Sequence, residues 1–365
     1  MKVAYLIPPI RRPGGYRSYT SGFLQAVSRH VTPVLFVARE DEQAAAQLFP
    51  QFQRFTLPAV QFLFQHRPQF GKFAAAYAAI RLGSFPAVDL VHSLEAYPAG
   101  LFGSWLAGKL RRPHVLTAHG TYGVLASQSQ PHRSLYEGAL RRSAAVLPVS
   151  PYTGDRIRDC FPNAVRHLKI RPVLNGNDFY KVIPREEAVC RKLAGVPTIL
   201  SVGVVKPRKG YHISLDAFAH LKQSIPDAQY WIVGADDEHM YSEALKTKVA
   251  AQRLRGVRWF GRVSESQLHA CYRQASVFLL TPQEIELHFE GFGLVYLEAG
   301  AFGLPVVGTR SGGVPSAIRH GETGLVVDPE ENRRMGLSNR AWSETLTWEK
   351  NAAEHLDLYQ EVLER

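Results

Sequence analysis

The segment Thr281-Pro282-Gln283-Glu284-Ile285-Glu286-Leu287-His288-Phe289-Glu290-Gly291-Phe292-Gly293-Leu294-Val295-Tyr296-Leu297-Glu298 decides how the rest of the 365-residue chain is read. Val277-Phe278-Leu279-Leu280, just before it, has the unbroken apolar character of a buried strand. A loop follows, and Gly291-Phe292-Gly293 then opens a helical run. A glycine turn feeding a helix start presents free backbone N–H groups and the positive end of the helix dipole, which together make an anion site. Glu290 stands in the loop mouth. Glu298 lies about two turns into the helix, on roughly the same side. Carboxylates beside an anion site suit the hydroxyls of a sugar or ribose rather than the phosphate itself. The bland alternative is a strand–loop–helix unit with solvent-facing glutamates, and it weakens once the whole block is considered.

Outward from this block, the same alternation recurs. Ahead of it, Thr198-Ile199-Leu200-Ser201-Val202-Gly203 is a strand, and the loop Val204-Val205-Lys206-Pro207-Arg208-Lys209-Gly210 carries three cations into a helix from Tyr211 to Lys222. Tyr230–Gly234 and Val257–Val263 read as further strands, and Tyr241–Gln252 as a helix. Ser264 and Gln267 form a capping-box signature for the helix that follows. Gly324–Asp328 is expected as a last strand, with a helical tail whose Leu356, Tyr359 and Leu363 share one stripe. Asp236-Asp237-Glu238 suggests a metal site, but at a strand exit it reads equally well as a turn.

The first half repeats the pattern. Lys2–Ile7 is a strand, Pro13-Gly14-Gly15 a glycine loop, and Tyr16–His30 a helix, a geometry suited to phosphate approach although no full GxGxxG is present. Val34–Ala38, Asp89–His92, Val115–Gly120, Ala144–Ser150 and Arg171 onward are strands, separated by helices at Pro98–Leu110, Tyr136–Arg142 and Pro151–Cys160. His119 stands at a strand's carboxyl end, where an open parallel sheet lines its ligand crevice. Lys181–Gly195 is charged and irregular, as a linker would be. The expected fold class is α/β, with two Rossmann-like parallel-sheet domains facing across a cleft. The first is expected over 1–185, with a C-terminal helix at about 348–365 packing back on it, and the second over 186–347.

Composition narrows the function. Hydrophobic residues make up 45% of the chain, enough for sizeable cores. Cys160, Cys190 and Cys271 are scattered without a CxxC, so no disulfide framework or zinc site is indicated. The apolar start Val3–Ile7 is too short for a signal peptide or a span, and no later window is long enough to cross a membrane. A cytoplasmic protein is expected, with peripheral binding at the inner face of the membrane as a further candidate. Residues 1–185 hold 23 Lys/Arg against 9 Asp/Glu, whereas residues 186–365 hold 20 against 23. A one-sided excess suits an anionic partner for the first half. Residues 48–85 interleave aromatics such as Phe62, Phe64, Phe70 and Phe73 with His66, Arg67, Lys72 and Arg81. That mixture suits anionic lipid, and equally an amphipathic helix on its own sheet. No nucleic-acid-binding motif accompanies it.

With these motifs in place, the chain resembles the retaining glycosyltransferases of the GT-B fold, family 4 (glycosyl transferases group 1). The resemblance runs from about residue 2 to the end. It rests on Pro13-Gly14-Gly15, Thr117-Ala118-His119-Gly120, Val149-Ser150, Leu174–Asp178, Lys209-Gly210, the Glu290–Glu298 pair in its Glu-X7-Glu spacing, Ala301–Val307 and Gly312-Gly313-Val314-Pro315. It implies a metal-independent hexosyltransferase that needs no cofactor, with a nucleotide-diphosphate sugar (UDP- or GDP-hexose) as substrate and a lipid or glycan as acceptor, in polysaccharide, lipopolysaccharide or glycolipid biosynthesis. It further implies that Lys209 neutralises the donor diphosphate and that Gly14 and Gly15 approach it. The amides of Gly291, Phe292, Gly293 and Leu294 would hold sugar and phosphate. Glu290 would bind sugar hydroxyls, Glu298 the ribose, and His119 the transferred sugar. Arg262 and Val263 would frame the base.

Two departures stand out. The family places an arginine where this chain has Val204, and Lys206 or Arg208 is the expected replacement. After Asp328 the chain runs through Pro329–Asn332 straight into Arg333, shorter than is usual in the family. A non-catalytic nucleotide-sugar-binding protein and a sugar-nucleotide epimerase on the same fold are the competing functions.

Overall fold

The computed structural model describes residues 1–12, 14–57, 86–183, 195–324 and 345–364. Pro13, most of the aromatic stretch, Cys190, the core of the expected linker, the expected strand beyond Gly324 and the segment after Asp328 lie outside the described residues. The chain divides into two compact units, residues 1–176 with 348–365, and residues 177–347.

The first unit is built on a seven-stranded parallel sheet in the order β3-β2-β1-β4-β5-β6-β7. Its strands are β1 (Lys2–Leu6), β2 (Thr32–Ala38), β3 (Gln53–Leu57), β4 (Leu90–Ser93), β5 (His114–Ala118), β6 (Ala145–Pro148) and β7 (Lys169–Ile170). Successive β1 residues enter opposite cores, Val3 and Tyr5 one, Ala4 and Leu6 the other. Both faces are therefore buried, which explains the unbroken apolar runs. One core is closed by the helix Gly15–Val27 and the C-terminal helix Trp348–Leu363, through Tyr19, Phe23, Trp348, Leu358 and Tyr359. The helix Ala99–Leu110 closes the other with Phe102 and Leu106.

The second unit has a five-stranded parallel sheet in the order β10-β9-β8-β11-β12. The strands are β8 (Thr198–Val202), β9 (Gln229–Val233), β10 (Val257–Gly261), β11 (Val277–Leu280) and β12 (Val306–Gly308). The helix Glu265–Gln274 starts in the expected capping box, with both Ser264 and Gln267 side chains engaged. Both sheets turn about their first strand, so β1 lies beside β4 and β8 beside β11. Successive connections leave these pairs in opposite directions, and the crevice at their carboxyl ends is where open α/β sheets take ligands.

Three local expectations change. The segment after Arg171 is not a strand, since β7 ends at Ile170. Arg171 and Val173 still donate to the Val146 and Pro148 carbonyls, so the chain stays beside β6 past the end of β7, with the Pro172 nitrogen pointing away from β6. β3 and β12 form where the sequence pattern indicates no strand. The first unit ends at Gly176 rather than at 185. The Asn177 amide is already bound to the Leu346 carbonyl within the second unit. Among the described residues no helix is long and apolar enough to cross a membrane.

Candidate active site

In the second unit the site grows from two adjacent strand ends. β8 leads into the turn Pro207–Lys209, and β11 into the loop that ends at Glu290. The two are tied together, because Gln283 donates its amide to the Arg208 carbonyl at 2.8 Å and Thr281 its hydroxyl to the Gly210 carbonyl at 2.7 Å. Gly210 sits at φ +70°, and a Cβ there would fall on the Thr281 carbonyl. Only glycine allows this approach. Gly312, at φ +59°, backs onto Glu290 in the same way, with a Cβ position 2.5 Å from its carbonyl oxygen. The Gly313 amide donates to that oxygen at 2.7 Å. The glycines of the two motifs thus fix the backbone on which Lys209 and Glu290 are carried.

Their side chains meet. Glu290 Oε2 accepts from Lys209 Nζ at 2.5 Å and from Arg208 Nη1 at 3.0 Å, with all three side chains less than one-fifth exposed. Burial acts to raise the Glu290 pKa, but Lys209 and Arg208 outweigh it and hold the carboxyl at about 2. The Lys206 side chain has no hydrogen-bond or ion-pair partner among the described residues. Burial lowers its pKa, and Arg208 and Lys209 lower it further. Glu290 thus lies among three cations, with Glu238 acting on Lys206 as well. Beside them, the helix Leu294–Ala301 begins after Gly293, which is left-handed at φ +93°. The amides of Gly291, Phe292, Gly293 and Leu294 find no acceptor among the described residues. Clustered cations and N–H groups without an acceptor among the described residues, together in one half-buried place, make a site for a multiply charged anion.

Glu298 takes a different setting. Tyr272 donates to its Oε2 at 2.9 Å. Burial raises its pKa to about 7, although Tyr272 and Lys209 act against the rise. Lys209 is therefore within electrostatic reach of both carboxylates of the Glu-X7-Glu motif. Tyr272 carries no sequence signal for this role, being 26 residues from Glu298. Arg262 is half-exposed and pairs with Asp237 at 3.4 Å, so one member of the acidic triplet is engaged there. Val263 lines a cavity of about 300 Å³ between Trp231, Phe260 and the helix Glu265–Gln274. Lys209, Glu290 and Glu298 do not line that cavity.

In the first unit, His119 follows β5 and its Nε2 lies 3.0 Å from the Leu94 carbonyl oxygen. Burial pushes its pKa down to about 4, against the raising effect of the bond to Leu94. The ring is neutral at physiological pH. Gly14 and Gly15 are exposed at the start of the helix Gly15–Val27, after β1. Tyr16, the next residue, donates to the buried Glu95 at 2.7 Å and stands edge-on to His119. Neither Tyr16 nor Glu95 is marked by a motif.

Residues 13–179 match the model of Glycosyltransferase Family 4, and residues 184–338 match that of Glycosyl transferases group 1. The chain is a family 4 glycosyltransferase of the GT-B fold. This glycosyltransferase is 27% identical to an uncharacterized glycosyltransferase of Methanocaldococcus jannaschii, over 75% of this chain and 76% of that one. It is 31% identical to a GDP-mannose-dependent alpha-(1-6)-phosphatidylinositol monomannoside mannosyltransferase of Mycolicibacterium smegmatis, over 56% of this chain and 60% of the relative. It spans 57% of a Mycobacterium tuberculosis glycogen synthase at 27% identity. In shape it is similar to the Anabaena HepE protein solved with UDP and glucose, with TM-score 0.71, 19% identity, and 98% and 99% of the two chains covered. It is also similar to a sucrose-phosphate synthase from Thermosynechococcus elongatus, with TM-score 0.73, 21% identity, and 99% of each chain covered.

Proposed function

We propose that this glycosyltransferase moves a hexose from a nucleoside-diphosphate sugar to an acceptor hydroxyl with retention of configuration, without a metal ion, in polysaccharide, lipopolysaccharide or glycolipid biosynthesis. The observation that carries the reading is Arg208 and Lys209 bound to Glu290, with Lys206 in electrostatic reach of it, set against four amides at a helix start that have no acceptor among the described residues. Cleavage of the donor's glycosidic bond builds charge on the departing diphosphate. Fixed cations and oriented N–H dipoles in a water-poor place stabilise that charge more in the transition state than in the ground state. Before the donor binds, Glu290 holds Lys209 and Arg208 in position. A diphosphate competes for the same cations and leaves Glu290, ionised at any physiological pH, to accept hydrogens from sugar hydroxyls. Glu298 accepts from the ribose, and His119 contributes a neutral ring to the transferred sugar. Retention and metal independence follow the resemblance to the family. The names of relatives point to two bases: one relative is GDP-mannose-dependent, and one similar structure holds UDP.

A thermal-shift panel of UDP-, GDP- and ADP-hexoses identifies the donor, because bound ligand raises apparent stability with occupancy. Transfer is then followed with and without EDTA, and the anomeric configuration of the product is read by proton NMR. One donor is expected to stand out, turnover to ignore EDTA, and the anomer to match that of the donor. Glu290→Gln is expected to lower turnover at least about a hundredfold, since a preorganised charged contact is worth roughly 3 kcal/mol in the transition state. The same change is expected to leave the affinity for the free nucleoside diphosphate unchanged or tighter. Binding of a donor that is never turned over with any acceptor would instead favour a binding protein.

A further inference from the structure

The second unit has a groove that the transfer chemistry leaves unused. Among the described residues β10 is an edge strand, with β9 beside it. Arg258 pairs with Trp231 in register, so both side chains stand on one face of the sheet. The helix Glu265–Gln274 leads from β10 to β11 and packs on β8, which leaves that face of β10 uncovered. Phe260 is 38% exposed there and packs on Trp231, with ring centroids 5.5 Å apart. The Trp231 indole N–H is already given to Gln229 at 2.9 Å, so Trp231 offers the groove only apolar surface. Opposite, the helix presents Gln267, Ala270, Cys271 and Gln274, spaced as one helical stripe. At about 30 Å³ for each water-sized group, the cavity of about 300 Å³ between them holds about ten heavy atoms.

Charge decides what fits. Arg258 makes no ion pair among the described residues, and no Asp or Glu lines the cavity. The imbalance is local. Residues 253–274 hold five arginines against one acid, Glu265, whereas the second unit as a whole holds 20 Lys/Arg against 19 Asp/Glu. A guanidinium at the mouth of an apolar cavity fits a ligand with an apolar body and an anionic head. One cation matches a single carboxylate rather than a diphosphate. The edge itself argues against a peptide strand or a second copy. The register with β9 slips between Trp259 and Gly261, which makes Phe260 the extra residue of a β-bulge. A bulge breaks the regular row of N–H and C=O groups on which an added strand would pair.

We infer that the groove between β10 and the helix Glu265–Gln274 binds a small amphipathic carboxylate, whose head is held by Arg258 and whose apolar chain lies against Trp231, Phe260 and Ala270. This goes beyond the transferase reading and does not rest on it.

Calorimetric titration of the full chain with octanoate tests the inference, with octanol as the uncharged control. Octanoate is expected to bind one-to-one, and octanol at least about tenfold more weakly, the worth of one charged hydrogen bond. Arg258→Gln is expected to bring octanoate down to the level of octanol. Ala270→Phe sets a ring in the cavity and is expected to abolish binding in a chain whose thermal unfolding is unchanged. Arg258 is exposed, so Arg258→Gln carries the test if Ala270→Phe does not fold. Absence of saturable octanoate binding to the unaltered chain overturns the inference. So do binding undiminished by Ala270→Phe in the folded variant, equal binding of octanoate and octanol, and an Arg258→Gln variant that binds octanoate normally. Val263 lines the groove and is also assigned to the base, so the titration is repeated with saturating UDP and with saturating GDP. Unchanged octanoate affinity supports a separate site. Competitive displacement makes the cavity the nucleotide's own pocket and overturns the inference while leaving the transferase reading standing. If neither nucleotide binds, that reading is weakened, and the inference stands or falls on octanoate alone.

Discussion

At the scale of single residues, the division of labour among three cations is the point of interest. Arg208 and Lys209 are engaged by Glu290, whereas Lys206 has no side-chain partner among the described residues. Burial and two like charges disfavour the ammonium of Lys206, and a bound diphosphate would relieve both effects. Lys206 is therefore the better candidate for the arginine that Val204 replaces. Lys206→Ala is expected to weaken donor binding roughly tenfold to a hundredfold, the worth of about 1.5–3 kcal/mol for a charged hydrogen bond. Arg208→Ala should weaken it less, because it also weakens the hold on Glu290. Calorimetry on both variants decides, and unchanged affinity in the pair together refutes the replacement. Glu298 supplies a pH test. With its pKa raised by burial to about 7, it is largely protonated in mild acid and cannot act there as a full carboxylate acceptor. A nucleotide sugar is a diphosphate diester with no titration near neutrality, so its affinity should fall as pH drops from 8 to 6, and Glu298→Gln should flatten the curve. The sign for stability is the reverse. A raised carboxyl contributes fully below its unfolded value, and the contribution is lost as pH rises through about 7. The Glu-X7-Glu block is legible in the sequence because its glycine turn and both carboxylates lie within one local segment. The partners that tune it are not. Tyr272 reaches Glu298 from 26 residues away, and Glu95 lies 79 residues from Tyr16, so only the strand order brings them together.

At the scale of elements, the C-terminal helix is the most exacting join in the first unit. Trp348 is 4% exposed and packs at right angles to Tyr19, with ring centroids 5.2 Å apart. The neighbouring helix makes room for it with Gly22, where an added methyl would land inside the Trp348 indole. Two effects oppose each other in Gly22→Ala. Helix propensity favours alanine by about 1 kcal/mol, whereas overpacking a fixed indole costs about 1–3 kcal/mol. Trp348 is buried and cannot swing away, so the clash is expected to win and urea stability to fall. In a Trp348→Phe background the same change should be neutral or stabilising, a coupling that a double-mutant cycle reads directly. A stabilised single Gly22→Ala variant would refute the packing account. Sequence patterns captured the strands whose two faces are buried, because these are unbroken apolar runs. They missed β3, an edge strand whose mixed sequence borders the aromatic stretch, and β12, which at three residues is too short to show a period. They overextended the strand near Arg171, where the Arg171 and Val173 amides still bond to β6 although β7 itself ends at Ile170.

At the scale of the whole molecule, the positive excess still lies in the first unit, although the contrast between units is smaller than that between halves of the sequence. The first unit has 23 Lys/Arg against 13 Asp/Glu, and the second 20 against 19. The C-terminal helix moderates the first unit's excess, with Glu361 and Asp357 beside Lys169 and Arg171. Other cations are left over. Lys109, Arg111 and Arg112 are exposed and make no ion pair among the described residues. They close the helix that leads into β5, which places them at the sheet edge where strands begin. His119 follows the end of β5, at the opposite edge of the same sheet. A patch of this kind attracts an anionic bilayer by about 1 kcal/mol per cation, and salt screens it over about 10 Å at 0.1 M. The protein is expected to sediment with phosphatidylglycerol vesicles at low salt, to release as salt rises, and to ignore phosphatidylcholine vesicles. Lys109→Glu, Arg111→Asn and Arg112→Glu combined should weaken that binding at least about a hundredfold, counting about 1 kcal/mol per lost cation. Asparagine is chosen at Arg111 because the backbone there is left-handed at φ 53° and asparagine tolerates it. Because the patch and His119 lie at opposite edges, transfer to a water-soluble acceptor should be unchanged in the triple variant. Equal binding to both vesicle types, or to neither, refutes the docking role. A loss of soluble transfer would instead tie these cations to the reaction itself.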